Sequence, residues 1–269
     1  MDVSIIIINY NTFQFTSKCI RSIYQHTKGL QFEIILVDNA SRECDPLLFK
    51  QEFPGIVLIK NVENVGFAKG NNIGIGEAKG DVILLLNSDT ELLNEAVSIA
   101  FKGLIQNETL AAVSVKLQNA DGTVQYQCQR FPSVSLALLE LLRLHKLLPQ
   151  KTRAKVLLST YFDHNSYVEP DSIWGTFFMF KRKILQHLPG KKLNDDYFMY
   201  FEDIQWCMDI KNLGYSIGYV PEGIVIHYMG KSNAPKNELM KKGLSSFLGK
   251  NYNPVKAFLL NALLYRNQN

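Results

Sequence analysis

The chain has 269 residues, 46% hydrophobic and 20% charged, so it buries a core of ordinary size and is neither disordered nor fibrous. Its net charge of +4 gives no nucleic-acid signature, and it lacks the run of about 18 apolar residues that a membrane-spanning helix needs. Cys19, Cys44, Cys128 and Cys207 lie far apart with no CxxC spacing, which argues against a zinc site or a disulfide framework.

In chain order, a β-branched run predicts a first strand over 3–8, and the lack of a signal peptide ahead of it predicts a reducing, cytoplasmic setting. Asn9-Tyr10-Asn11-Thr12 then turns into an amphipathic helix around Cys19, Ile20 and Ile23. A second strand over 33–37 ends in Asp38-Asn39, and a third over 56–60 leads into a Gly- and Asn-rich stretch from Asn64 to Asn72. The fourth, over 82–86, is apolar throughout, as a strand buried on both faces is, and stops at Asn87-Ser88-Asp89. Strands interleaved with helices at this spacing predict an α/β fold, a mostly parallel sheet flanked by helices. Asn9, Asp38, Asn64 and Asp89 recur just beyond the four strands. They therefore line one sheet edge, the edge at which open α/β sheets bind nucleotides.

Beyond residue 120 the pattern changes. Within the stretch 133–158, eight leucines between 136 and 148 crowd together with Arg143, His145 and Lys146, predicting a helix. Such a helix is packed core, a subunit interface, or a surface element that touches lipid. Lys231, Lys236, Lys241, Lys242 and Lys250 cluster late in the chain with only Glu238 nearby, either as a solvated face or as a surface for anionic partners. Residues 254–265 carry apolar side chains at helical spacing.

Four constellations carry chemistry. Asp89, emerging where a buried strand stops, is a candidate metal ligand. Glu202-Asp203 interrupts an aromatic stretch from Tyr197 to Trp206, and a carboxylate beside apolar rings has its pKa biased upward, as a general base requires. One of the pair is alternatively the cap of the helix that starts there. His227 follows the apolar run 224–226 as a ligand or as a satisfied surface histidine, and Gly230 with the lysines after it predicts a loop that closes on a phosphate. Asp38 is placed to accept from a base imide or a ribose hydroxyl, and the Asn64–Asn72 stretch, which is neither GxGxxG nor a P-loop, to cradle phosphate or ribose, with Lys69 adding a charge.

Taken together, Ile8-Asn9-Tyr10-Asn11, Val37-Asp38-Asn39, Asn64-Val65-Gly66-Phe67-Ala68, Asn87-Ser88-Asp89, Trp174-Gly175-Thr176, Glu202-Asp203 and His227 resemble the inverting family 2 glycosyltransferases of GT-A fold. The likeness is greatest to their rhamnosyltransferase-like branch and runs from residue 3 to about 232. It implies a catalytic domain over 1–232, with a nucleotide-binding half 1–120 and an acceptor-binding half 121–232, followed by a basic helical tail over 233–269. Residue by residue, it implies Asp38 on a uracil or thymine imide, with Asn9 and Tyr10 supporting the base. Asn64, Gly66, Lys69 and Ser88 would lie along the nucleotide. Asp89 and His227 would hold Mg2+ or Mn2+ against the diphosphate, Asp203 would be the base, and Glu202 a positioning or acceptor-binding group. Trp174 and Gly175 would shape the donor and acceptor pocket. Asn87 stands where the metal motif often has a first Asp, so the site has one negative charge fewer.

The resemblance further implies a nucleotide-sugar donor, a saccharide or lipid-linked saccharide acceptor of the bacterial cell surface, and peripheral contact with the inner face of the membrane. Two other readings compete. A sugar nucleotidyltransferase would want glycine and basic residues near its start, which residues 3–12 lack. A non-catalytic nucleotide-sugar-binding scaffold would have lost the acidic residues and His227, which all remain.

Overall fold

The computed structural model describes residues 1–229 and 236–265. Gly230 and the lysine after it, read above as a phosphate-closing loop, lie outside the described residues, as do 233–235 and 266–269 of the basic tail. The elements in order are β1 (Val3–Asn9), α1 (Phe13–His26), β2 (Phe32–Asp38), α2 (Leu47–Glu52), β3 (Val57–Lys60), α3 (Phe67–Glu77) and β4 (Val82–Asn87). They continue with β5 (Thr90–Leu92), α4 (Ala96–Ile105), β6 (Leu110–Gln118), α5 (Val134–Leu141), α6 (Gln150–Leu157) and β7 (Phe177–Lys181). Last come α7 (Glu202–Asn212), β8 (Ser216–His227), α8 (Lys236–Asn251) and α9 (Pro254–Tyr265).

The eight strands form one sheet in the order β3-β2-β1-β4-β7-β6-β8-β5. Four pairings are parallel (β1 with β2 and β4, β2 with β3, β6 with β8) and three are antiparallel. The all-apolar strands expected from the sequence are buried on both faces because consecutive side chains point to opposite sides. Ile5, Ile7, Leu84 and Leu86 enter one apolar cluster with α1 and α4. Ile6, Ile83 and Leu85 enter the other, with Ala68 of α3 and Trp206, Cys207 and Ile210 of α7. The strand order reverses around β1 and β4, so their carboxyl ends open the crevice in which such sheets bind ligands.

Two expectations are corrected. The helix expected over 133–158 is broken into α5, a 3-10 turn over Leu144–Leu147, and α6. Arg143 adopts φ 57°, which no helix interior allows, and Pro149 withholds an N–H and keeps Leu148 extended. The strand read as 224–226 is twelve residues long, its start hidden by Pro221 and Gly223. Those residues sit in a bulge where Val115 pairs with Val220 but Lys116 with Ile224.

The last two helices pack onto the body of the protein. Leu244, Phe247, Leu248 and Leu260 form a third cluster with Tyr197, against which Phe201 and Ile204 also pack. α9 lies against α5. On α9 and on the C-cap and 3-10 turn that follow α5, Leu142, Leu144, Leu147, Val255, Phe258 and Leu259 remain exposed, Leu147 to 80% and Phe258 to 73%. Among the described residues, no helix is long and apolar enough to cross a membrane.

Candidate active site

At the carboxyl edge of β1 and β4 lies a cleft of about 510 Å3, lined on one side by Tyr10, Asn64, Gly66, Ser88, Asp89 and His227 and on the other by Trp174, Gly175, Glu202 and Asp203. A wider cleft of about 1150 Å3 opens at the other end of β4, beside Asp81, Lys181 and Arg182, and holds neither a histidine nor a pair of adjacent acids.

The first wall begins with a parallel register that sets Asn9 opposite Asp38. The Asn9 amide donates to Asp38 Oδ2 at 2.7 Å, and the Ser41 N–H donates to Asp38 Oδ1 at 3.0 Å. Thr12 and Thr16 hydroxyls donate to Asn9 Oδ1 at 3.1 and 2.7 Å, and Thr12 also meets the Ser88 hydroxyl at 3.0 Å. Asn9 and Asp38 are thus a buried brace behind the cleft and do not line it. Their neighbours Tyr10, Thr12 and Asn39 do. Lys69 is exposed on α3 and also stands outside the lining. Gly66 has φ 85°, and a Cβ there would stand 2.5 Å from the Phe198 carbonyl oxygen, so only glycine lets the two walls approach this closely.

Asp89 and His227 are brought together by a short antiparallel ladder in which Thr90 pairs with His227. It brings His227 Nε2 to 3.4 Å from Asp89 Oδ1. The other ring nitrogen, Nδ1, lies 2.8 Å from Gln125 Oε1. Among the described residues no three of His, Cys, Asp and Glu form a ready cage. One carboxylate and one imidazole facing each other nevertheless fit a divalent ion whose remaining ligands are substrate phosphates and water.

On the opposite wall α7 starts at Glu202. The cap expected of Glu202 or Asp203 is made by neither. Phe201 occupies the N-cap with φ 72° and both acids fall in the first turn. Asp203 Oδ2 accepts from the Gly175 N–H at 3.0 Å and Oδ1 from the Ile204 N–H at 2.8 Å. Burial raises the Asp203 carboxyl above the ordinary carboxylate range, and these N–H groups oppose the rise. Glu202 is pushed up much further, first by burial and then by the Asp203 charge, and its Oε2 is buried without a partner. Of the two adjacent carboxyls, Glu202 is held further above its ordinary value than Asp203, because it lacks the backbone N–H groups that support the Asp203 charge.

Motif reading missed Thr12, Phe67, Thr176, Gln129 and Met240, which line the cleft, and Gln125, which stands behind it. Thr12 and Thr176 adjoin motifs already noted. Met240 arrives on α8 from the tail and Gln125 on a turn after β6, with no local pattern to betray either.

At the carboxyl edge of this α/β sheet an acid–histidine pair thus faces a carboxylate held by backbone N–H groups. Residues 4–188 match glycosyl transferase family 2, and the chain belongs to that family. It is 26% identical over 231 residues to the low-salt glycan biosynthesis hexosyltransferase Agl10 of Haloferax volcanii, covering 84% of this chain and 67% of that protein. In fold it is similar to the mannosyltransferase PcManGT of Pyrobaculum calidifontis, solved with GDP-Man and Mn2+, at TM-score 0.64 and 18% identity, covering 97% of this chain and 69% of that one. It is likewise similar to residues 1–349 of S. aureus TarS with UDP-GlcNAc, at TM-score 0.60 and 14% identity, over 98% of this chain and 72% of that one.

Proposed function

We propose that the chain is an inverting glycosyltransferase of the rhamnosyltransferase-like branch. It would move a sugar from a UDP- or dTDP-sugar, dTDP-rhamnose among them, to a hydroxyl acceptor in bacterial cell-surface polysaccharide assembly. The observation that carries this reading is the placement of Asp203, held by two backbone N–H groups, across one cleft from Asp89 and His227. Neighbours solved with GDP-Man and with UDP-GlcNAc support a nucleotide-sugar donor.

In this mechanism Asp203 accepts the proton of the acceptor hydroxyl. The hydroxyl oxygen bonds the anomeric carbon on the face opposite the nucleoside diphosphate, which leaves with the electrons of the broken C–O bond. Asp89 and His227 would hold a divalent ion, Mg2+ or Mn2+, which when bound supplies Lewis-acid stabilisation of the leaving diphosphate. Neighbours solved with Mn2+ support that reading. Asp38 and the Asn9 brace support the base, Tyr10, Asn64, Gly66 and Ser88 follow the nucleotide, and Lys69 screens its charge from outside the cleft. Trp174 and Gly175 bound the sugar, and Glu202, kept neutral, keeps a second negative charge away from the base. A lipid-linked acceptor would reach the cleft while the exposed apolar side chains of α5 and α9 rest on the inner face of the membrane.

The test is release of UDP or dTDP from a panel of nucleotide sugars with metal and acceptor present. Asp203→Asn is expected to lower transfer by about 10²–10⁴-fold, the usual contribution of a general base, with donor binding retained. Near-normal turnover in that variant removes Asp203 from the role.

A further inference from the structure

We infer that Gln125 is a positioning residue that sets the tautomer of His227, keeping the proton on Nδ1 and the lone pair on Nε2, the nitrogen that faces Asp89. The geometry is closed by elementary donor and acceptor rules. Gln125 is 4% exposed, and its Nε2 lies 2.9 Å from the backbone oxygen of His227 and 2.7 Å from Asn119 Oδ1. A backbone carbonyl can only accept, so the amide nitrogen must lie on that side and the amide cannot be flipped. Gln125 Oε1 is then left 2.8 Å from His227 Nδ1. An amide oxygen also can only accept, so Nδ1 carries the hydrogen, and in a neutral imidazole Nε2 is left as the acceptor. Asn87 Nδ2, a donor, lies 3.4 Å from that same Nε2, the orientation an acceptor nitrogen calls for.

A single amide therefore holds His227 at two points, its backbone oxygen and its ring. A half-turn of the ring about its Cβ–Cγ bond, which would put Cδ2 in the place of Nδ1 and Cε1 in the place of Nε2, breaks the Nδ1 contact. A metal-binding histidine is usually oriented by such a partner on its far nitrogen. In this chain the partner is a neutral amide that also ties the turn at Asn119 to the end of β8. Asp89 Oδ1 also stands 3.4 Å from Nε2 and would accept hydrogen there, so the tautomer rests on the shorter 2.8 Å contact of Nδ1 with Gln125. Its consequence for metal affinity rests on the reading of Asp89 and His227 as a metal pair.

The first measurement uses the unsubstituted protein. With histidine selectively labelled with 15N, two-bond correlations identify which ring nitrogen bears hydrogen, and His227→Gln assigns the signal by its loss. Hydrogen on Nδ1 is expected, and hydrogen on Nε2 overturns the proposal. Gln125→Leu removes the acceptor and is expected to admit the Nε2–H tautomer and raise the Kd for Mn2+ by about 10–100-fold, the usual cost of losing a histidine's outer partner. Gln125→Glu keeps an acceptor for Nδ1 but loses the amide donor to the His227 and Asn119 oxygens, so it is expected to keep the Nδ1–H tautomer and to lose less Mn2+ affinity than the Leu variant. If the Leu variant retains Nδ1–H, or if both variants lose Mn2+ affinity equally, Gln125 is only packing. Mn2+ affinity unchanged by His227→Ala sinks the metal pair instead, while the 15N result still decides the tautomer.

Discussion

The sheet has two halves built on different rules. In the first, β1 to β4 run in parallel with unbroken register, their apolar side chains filling both faces. In the second, β7 and β5 turn antiparallel, the β6–β8 ladder slips twice, and non-glycine residues at positive φ gather at Arg143, Leu158, Ser159, His164, Lys191, Tyr200, Phe201 and Met229. Each such residue costs on the order of 1–3 kcal/mol and persists only where its surroundings over-determine it. The regular half is a platform that presents Asp89. The irregular half bends the chain to bring Asp203 and His227 to face it. Repetition makes a good edge, and chemistry across that edge needs departures from repetition.

The largest effect that would test this division is at Asp89. Asp89→Ala is expected to weaken metal-dependent donor binding by at least the roughly 10–100-fold typical of a metal's outer partners, with melting temperature nearly unchanged. Donor titrations that match with and without metal would dissolve the contrast between platform and chemistry.

Next come the glycines that grip the bent segment 198–201 from both sides. A Cβ at Gly66 would meet the Phe198 carbonyl at 2.5 Å, and one at Gly243 would meet Phe201 Cδ2 at 2.7 Å. Alanine at either is expected to cost about 1–3 kcal/mol in denaturant unfolding, as overpacking does. Turnover should fall more steeply than donor affinity, because Asp203 follows directly. Gly249→Ala in the same helix as Gly243 meets nothing within 4 Å and is expected to gain about 0.4–1 kcal/mol. Equal outcomes at 243 and 249 would mean that α8 does not brace the site.

At the surface of the irregular half, Lys146→Glu is expected to weaken co-sedimentation with anionic vesicles by about 1 kcal/mol, the usual contribution of one basic residue near a lipid surface. Neutral vesicles should show no such difference. Binding that is equal for both lipids and both proteins counts against a membrane role for this face.

The smallest effect is a pH dependence. Burial and the Asp203 charge raise the folded value of Glu202, so the folded protein is expected to bind a proton there that the unfolded chain releases. Stability from this group is therefore complete below the unfolded glutamate pKa of about 4.3 and declines as pH rises from there toward the folded value. Glu202→Gln removes the decline, so the melting temperature of the variant should gain on that of the unsubstituted protein between pH 5 and pH 8. The gain should be about 2–4 °C for each kcal/mol restored in a chain of this size. A constant difference across that range would mean that Glu202 is already ionised in the fold.

The platform was legible in the sequence because its signals are local. A run such as Val82-Ile83-Leu84-Leu85-Leu86 states its own burial, and the polar residue after it states its own edge. The acids and His227 were legible as chemistry at odds with apolar surroundings. What could not be read depends on contacts between distant segments. Asp38 was legible as a strand-end acid, but the hydrogen bonds it accepts from Asn9 and Ser41 were not. The Leu-rich stretch looked like one helix until Arg143 and Pro149 broke it. Met240 and Gln125 enter through turns and helices whose own sequences carry no mark of the cleft.

The pairing of Thr90 with His227 has one more consequence. Side chains alternate along a strand, so deleting a single residue from β8 beyond its bulge would turn His227 to the opposite face while leaving every atom of its ring intact. The spacing between Asp89 and His227 is therefore counted in residues rather than held by any one contact. The bulge at Pro221 absorbs the irregular length upstream so that the count comes out right. A one-residue deletion after the bulge should therefore abolish metal-dependent donor binding, which a donor titration reads directly.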